Sequence, residues 1–314
     1  MMARYIKKML ALAVAVALPF VIWIGVLLAI PDHRGGSIAA TIRYKADLLQ
    51  STEGPRVIFA GGSSSPYGTV CAEVAQQLDC NAICVGATAY LGLPFYLRML
   101  EVYAEEGDVI VLAPEYSLLT GESTDYSLVW EGAGQDPDVW RCLPVSYLPG
   151  MFSSSVSYLK LKLEALPYGA GDYNEAFGPL GDVTLYRESM LENGYVSGDP
   201  IDFSPERLYA ENLERINRFA EKMERRKITV LFAFAPADRL AVVSDEEETA
   251  DFAQRVEELL EIPVILPLSK AMMEGEYFYN SNNHLTTEGA QINTQNLIDG
   301  IRTALGVQTL PERK

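Results

Sequence analysis

The sequence predicts a three-layer α/β protein: a doubly wound, mostly parallel sheet interrupted by a long insertion and carried behind an N-terminal transmembrane helix. Three observations predict it. An unbroken apolar run extends from Met9 to Ile30, short apolar runs alternate with helical spacing from residue 56 onward, and small residues follow the first of those runs directly.

The apolar run is preceded by Arg4, Lys7 and Lys8 and closed by Pro31 and Asp32. At about 1.5 Å per residue it reaches across a hydrocarbon core of roughly 30 Å. A cleavable signal peptide shares the basic start, but has a shorter apolar region and a small-residue cleavage site; here the run ends Leu27-Leu28-Ala29-Ile30-Pro31. A buried core helix would show a polar face, and none interrupts the run. The reading is an uncleaved single-pass anchor in a cell membrane. The basic flank sets the N-terminus inside and the rest of the chain outside the cytoplasm. Residues 1–30 are then stub and anchor, 31–55 a spacer, and 56–310 one globular domain.

Within the domain, Arg56 to Ala60 reads as a buried strand, Gly61 to Pro66 as a turn, and Thr69 to Leu78 as a helix. Ala82 to Val85 is a second strand, Pro94 to Glu105 a helix, and Asp108 to Ala113 a strand buried on both faces. The pattern lapses from residue 117 to 203, a stretch rich in Gly, Pro, Ser and Tyr that reads as an insertion over the sheet; its Trp130, Trp140, Tyr147, Tyr158, Tyr168, Tyr173, Tyr186 and Tyr195 have the chemistry to stack on sugar rings, but packing of the insertion explains them more cheaply. Ser204 as N-cap and Pro205 at the first helical position start a helix with Leu213, Ile216, Phe219, Ala220 and Met223 on one stripe. Ile228 to Ala235 is the next strand, and Ser244 with Glu247 forms a capping box for the helix after it. Val264 to Leu266 is the fifth strand. The last helix, about Glu288 to Leu305, is capped by Thr286 or Thr287 and shows Ile292, Leu297 and Ile301 on its apolar side.

All 42 carboxylates but only 22 of the 25 Lys and Arg residues follow the anchor, so the exterior part carries a formal charge of −20 and is a poor partner for nucleic acid. Cys71, Cys80, Cys84 and Cys142 form no CxxC pair and have no neighbouring histidine, which leaves a zinc site unsupported; one disulfide or buried free thiols both fit. No cofactor motif is present, since Gly61-Gly62-Ser63-Ser64-Ser65 matches neither GxGxxG nor a P-loop.

In an open α/β sheet, ligands collect beyond the carboxyl ends of the strands. Ser63 stands there, just past the first strand. Of the two histidines, His33 lies in the spacer and is read as solvated; His284 falls in a loop between the last strand and the last helix, at the same edge. A serine hydroxyl becomes a nucleophile at neutral pH when a neutral imidazole is within hydrogen-bond reach. Pro236-Ala237-Asp238-Arg239 follows the fourth strand and reads equally as a capping aspartate with a solvated arginine or as part of that edge. Glu246 to Glu248 reads as a solvated first helical turn.

These segments resemble the blocks of the SGNH (GDSL-type) hydrolases over about Arg56 to Leu305, the insertion aside. Val57 to Ser64 is similar to the first block in its Gly-Gly-Ser form, Val85-Gly86 to the second, Gly107 to Tyr116 to the third, and His284-Leu285 with Gly289 to the histidine block. The resemblance implies a flavodoxin-like fold, Ser63 as nucleophile, His284 as base, and an oxyanion hole from the Ser63 and Gly86 amides. It implies no metal and no cofactor. Gly62 replaces the family's aspartate, Glu115 stands near the place of the oxyanion asparagine, and Asn280, Ser281, Asn282 and Asn283 occupy the stretch where an orienting aspartate is usual. Asn280, Ser281 or Glu115 is therefore the expected orienting group.

The activity implied is ester chemistry on acyl groups of cell-envelope glycans or lipids, by hydrolysis or by transfer. Partners would be an acyl-ester substrate, the lipid bilayer through residues 9–30, and a membrane-bound acyltransferase. The reading from another class is an inactive envelope-binding or scaffolding protein that keeps the fold.

Overall fold

The computed structural model describes residues 2–30, 38–54, 56–121, 124–165, 177–187 and 200–310. His33, Pro31 and Asp32 of the spacer, with Tyr168, Tyr173 and Tyr195 of the insertion, lie outside the described residues.

The chain is α/β, with a central parallel sheet of five strands: β1 (Arg56–Gly61), β2 (Asn81–Cys84), β3 (Val109–Ala113), β4 (Thr229–Ala233) and β5 (Val264–Leu266), in the order β2-β1-β3-β4-β5. That is the order of flavodoxin-type doubly wound sheets, whose reversal falls between β1 and β3. The register aligns Gly61 with Ala113, so the residues following β1 and β3 emerge side by side. β1 and β3 are buried along their whole length, as strands covered on both faces must be. Helix Cys71–Leu78 packs with the last helix, Thr287–Leu305, whereas Leu93–Tyr103, Ala210–Glu224 and Glu246–Leu259 pack in series elsewhere; the two groups cover the two faces.

Buried Arg56 opens β1 and meets buried Asp108, which precedes β3, through Nε–Oδ1 at 3.0 Å and Nη2–Oδ2 at 2.5 Å. Its remaining N–H groups go to the carbonyls of Leu49, Thr52 and Tyr103. The pair thus ties two neighbouring strands to the helices Ile42–Ser51 and Leu93–Tyr103.

The residues 117–203 are more regular than their composition suggests. They hold the helices Tyr126–Ala133, Pro137–Arg141 and Leu148–Ala165. Asp125 caps the first by accepting from the Ser127 amide, and Asp136 caps the second ahead of Pro137 at N1. Their apolar faces close on one another, with Trp130 stacked on Tyr158 and edge-on to Trp140.

Three local expectations shift. The helix expected from Ser204 begins at Ala210; the hydroxyl of Ser204 is taken by Asp202, and Pro205–Arg207 is a single 3-10 turn. The capping box is formed by Asp245 and Glu248, one residue on, because Ser244 Oγ accepts from the Phe203 amide and meets Thr249. Ile292 faces solvent. The face of the last helix that packs inward instead carries Asn293 and Thr294, which bond Gly68 O and the Val70 amide behind the first βα turn.

The helix Met2–Ala29 is long and apolar enough to cross a membrane, and its side chains are largely exposed. The four cysteines are free thiols, three of them buried.

Candidate active site

Ser63 follows Gly61-Gly62 at the end of β1 and precedes the short helix Ser64–Gly68, where a plain turn was expected. Its side chain makes no capping bond, which leaves the hydroxyl free for other partners. His284 sits on a small antiparallel pairing, Phe278–Ser281 with His284–Leu285, directly before the last helix. Thr286 caps that helix by accepting from the Gly289 amide. Across 221 residues of chain, His284 Nε2 and Ser63 Oγ meet at 2.7 Å. Both keep part of their surface open to solvent.

The second ring nitrogen, Nδ1, lies 2.7 Å from Asn280 Oδ1. A side-chain carbonyl oxygen only accepts, so Nδ1 carries the proton and Nε2 is the free lone pair that faces the serine. Asn280 is therefore the group that orients the imidazole. Ser281 is turned away, with its hydroxyl donating to Asn283 Oδ1 at 2.6 Å.

Glu115 does not reach the imidazole's Nδ1. Its buried carboxyl stands on the other side of Ser63, with Oε1 2.9 Å from Ser63 Oγ and 2.9 Å from the Ser64 amide nitrogen. The Ser63 amide and the Asn283 side chain also donate to it. Burial raises its pKa, and these donors pull the other way without cancelling that rise. The converging amides have the arrangement of an oxyanion hole, and the chain's own carboxyl occupies it. Gly86 packs against the Gly62 carbonyl, where a Cβ would collide. The Ser63 and Ser64 amides and the Asn283 side chain converge on the Glu115 carboxyl, and Gly86 packs against the same turn.

Two departures from the family pattern prove to be one. A Cβ on Gly62 would fall inside the van der Waals surface of the Glu115 carboxyl. Glycine at 62 is what makes room for glutamate at 115. Gly62→Ala should cost about 1–3 kcal/mol by overpacking. That cost should shrink when Glu115→Ala is made in the same chain, as a double-mutant cycle of denaturation midpoints would register.

Sequence reasoning missed two further residues. Tyr67 lies one helical turn after Ser63, and its ring stacks on His284 with centroids 4.0 Å apart and planes 5° from parallel. The guanidinium of Arg187, from the insertion, lies over the Tyr67 ring at 5.2 Å and spends its N–H groups on the carbonyls of Leu285, Val183, Leu185 and Tyr67. Position 67 could have been picked from its helical spacing; nothing local marks Arg187. Burial under this stack, then the Arg187 charge, depresses the His284 pKa to about 3, so the imidazole stays neutral across the physiological range.

Asp238 accepts from the Leu240 amide and Arg239 pairs with Glu274, while the Asp238 amide donates to Asn282 O and so braces the histidine loop. A neighbouring cleft of about 560 Å³, lined by Arg239, Ser244, Glu246 and Met272 among others, includes neither Ser63 nor His284. Among the described residues, no group of His, Cys, Asp and Glu gathers as a metal site would require. No protein-family model matches the chain, and no curated protein matches it.

Proposed function

We propose that the chain is a membrane-anchored, serine-dependent acyl hydrolase or O-acyltransferase of SGNH type, acting on acyl esters of cell-envelope glycans or lipids. The observation that carries this reading is the 2.7 Å contact between Ser63 Oγ and the unprotonated nitrogen of His284. The strand order and the Gly-Gly-Ser turn at the end of β1 support the SGNH assignment. The apolar helix Met2–Ala29, with its basic start, supports a single-pass anchor with the N-terminus inside and the domain outside.

In this mechanism Ser63 Oγ bonds to the acyl carbon while its proton passes to His284 Nε2. The carbonyl π electrons move to oxygen, giving a tetrahedral oxyanion held by the Ser63 and Ser64 amides and the Asn283 side chain. Collapse breaks the ester C–O bond, and the departing alkoxide takes the proton from the imidazolium. Water or a glycan hydroxyl then attacks the acyl-serine, gives its proton to His284, and the same proton returns to Ser63. Each donor to the oxyanion supplies about 3 kcal/mol.

Glu115 controls entry to this cycle. The single hydrogen of Ser63 can serve the carboxylate or the imidazole, but not both. Protonation of Glu115 leaves that hydrogen to His284 and, by removing the charge that the amides hold, lets the side chain swing aside so that the oxyanion takes its place. Turnover is therefore expected to be greatest between the depressed pKa of His284, near 3, and the raised one of Glu115. It should fall as pH rises through the Glu115 titration. Glu115→Gln should remove that alkaline fall, since the amide can donate to Ser63 Oγ at every pH; acetate release from a simple aryl acetate, measured by chromatography across the range, reads this out.

A labelled fluorophosphonate provides the direct test. Adduct mass on the peptide containing Ser63 is the expected result. The rival reading, an inactive envelope-binding or scaffolding domain, draws on the same Glu115 carboxyl that fills the amides. It takes over if folded wild-type protein and Glu115→Gln both stay unlabelled and release no acetate at any pH.

A further inference from the structure

The anchor does not end in a free tether. The insertion helix Leu148–Ala165 lies against its outer half: Phe20 meets Phe152 with ring centroids 4.9 Å apart, Trp23 Nε1 donates to Ser155 Oγ at 2.9 Å, and Lys162 Nζ donates to Leu27 O at 2.9 Å. Gln135 also donates to Leu28 O. These last two contacts satisfy carbonyls that a helix C-terminus otherwise leaves without partners. The partners climb together, 20 with 152, 23 with 155 and 27 with 162, so the two helices run in the same direction. Phe152, in the first half of the insertion helix, consequently lies level with Phe20, ten residues or about 15 Å short of Ile30 at the end of the apolar run.

The chemistry of this stretch matches that depth. From Cys142 to Leu159 the chain has no charged side chain. Among exposed Ser146, Pro149, Ser153 and Ser157, large apolar side chains stand open: Val145 is 81% exposed, Leu148 51%, Val156 65%, and Phe152, beside Phe20, 49%. The first charges, Lys160 and its partner Glu164, come nearer the level of the anchor's end. A helix satisfies its own backbone polar groups, so it can face hydrocarbon without penalty.

We propose that Val145–Val156 is a second membrane-contacting element, immersed among the acyl chains of the outer leaflet beside the anchor, which seats the domain on the bilayer surface. The proposal rests on reading Met9–Ile30 as a span. The hydrocarbon that surrounds Leu18 and Phe20 must also surround whatever packs at their level. The Trp23, Trp130, Trp140 and Phe152 cluster then forms the joint between anchor and domain.

The full chain, carrying Cys80→Ser to remove its one half-buried thiol, would be reconstituted in phosphatidylcholine nanodiscs. It would be labelled with an environment-sensitive nitrobenzoxadiazole at Phe152→Cys or Val156→Cys. Leu18→Cys serves as the span control and Val243→Cys as the solvent control. Labels at 18, 152 and 156 are expected to emit to the blue and to lose most of their emission to lipids spin-labelled on the acyl chain, while 243 yields only to aqueous iodide. If 18 is quenched by the lipid but 152 and 156 by iodide, the proposal is overturned and the anchor stands. If 18 itself is reached by iodide, the anchor reading and the proposal fall together. Labels at 152 and 156 shielded from both quenchers would mean contact with another copy of the chain, which also overturns it.

Discussion

Ser63→Ala is expected to lower ester turnover by at least about 10³-fold, His284→Gln by a similar factor, and the double substitution by no more than either alone. The reason is mechanical. The hydroxyl and the imidazole act as one unit through the 2.7 Å contact, and either half alone moves no proton. Residual activity would come from the Ser63 and Ser64 amides and the Asn283 side chain, which still favour a tetrahedral oxyanion when water attacks directly. The ratio should stay below the largest known for serine hydrolases, because Asn280 fixes the tautomer of His284 without the negative charge that stabilises imidazolium. Rates on an aryl acetate, with circular dichroism to show that all variants fold, test this. Multiplicative losses, with the double variant far below either single one, would mean that the two side chains act separately and that the proposed relay is wrong.

Asp108→Ala is expected to cost about 3–5 kcal/mol of stability, the largest single-residue effect in the domain. Arg56 is fully buried and meets the Asp108 carboxylate through two N–H groups; removing the carboxylate leaves a guanidinium charge in the core with only carbonyl partners. For a domain of this size the melting temperature should fall by roughly 10 °C. The exposed pair Lys227–Glu106 makes the contrast, because Glu106→Ala should cost under about 1 kcal/mol. The combined Arg56→Met and Asp108→Leu chain should recover much of the loss, since the cost lies in the unpaired charge more than in the missing attraction. Denaturant midpoints for the four proteins decide it, and equal losses at Asp108 and Glu106 would refute the account.

Parts of the fold were legible because their causes are local. The five strands and the helices between them follow from apolar runs of strand length alternating with 3.6-residue spacing, and buried β1 and β3 read as continuous Val, Ile and Leu. The capping box slipped by one residue for an equally plain reason. Ser244 with Glu247 and Asp245 with Glu248 both satisfy the motif, and the choice was made by the Phe203 amide, 41 residues away, which claims the Ser244 hydroxyl. The insertion looked irregular because two of its helices are short and the longer Leu148–Ala165 carries Pro, Gly and a run of Ser, so no clear periodic stripe develops.

The sequence by itself determined that a serine and the domain's sole histidine lie at the carboxyl edge of a parallel sheet, because strand direction and the loops that follow are set by neighbouring residues. It also determined that an apolar stretch precedes the domain. Only the tertiary structure decided that Asn280, and neither Ser281 nor Glu115, orients His284; that Glu115 competes for the Ser63 hydrogen; and that Tyr67 and Arg187 cover the imidazole. Those outcomes depend on the register of β1 against β3 and on where the insertion folds back. A contact between residues 52 or 120 positions apart leaves no trace in the spacing of either partner.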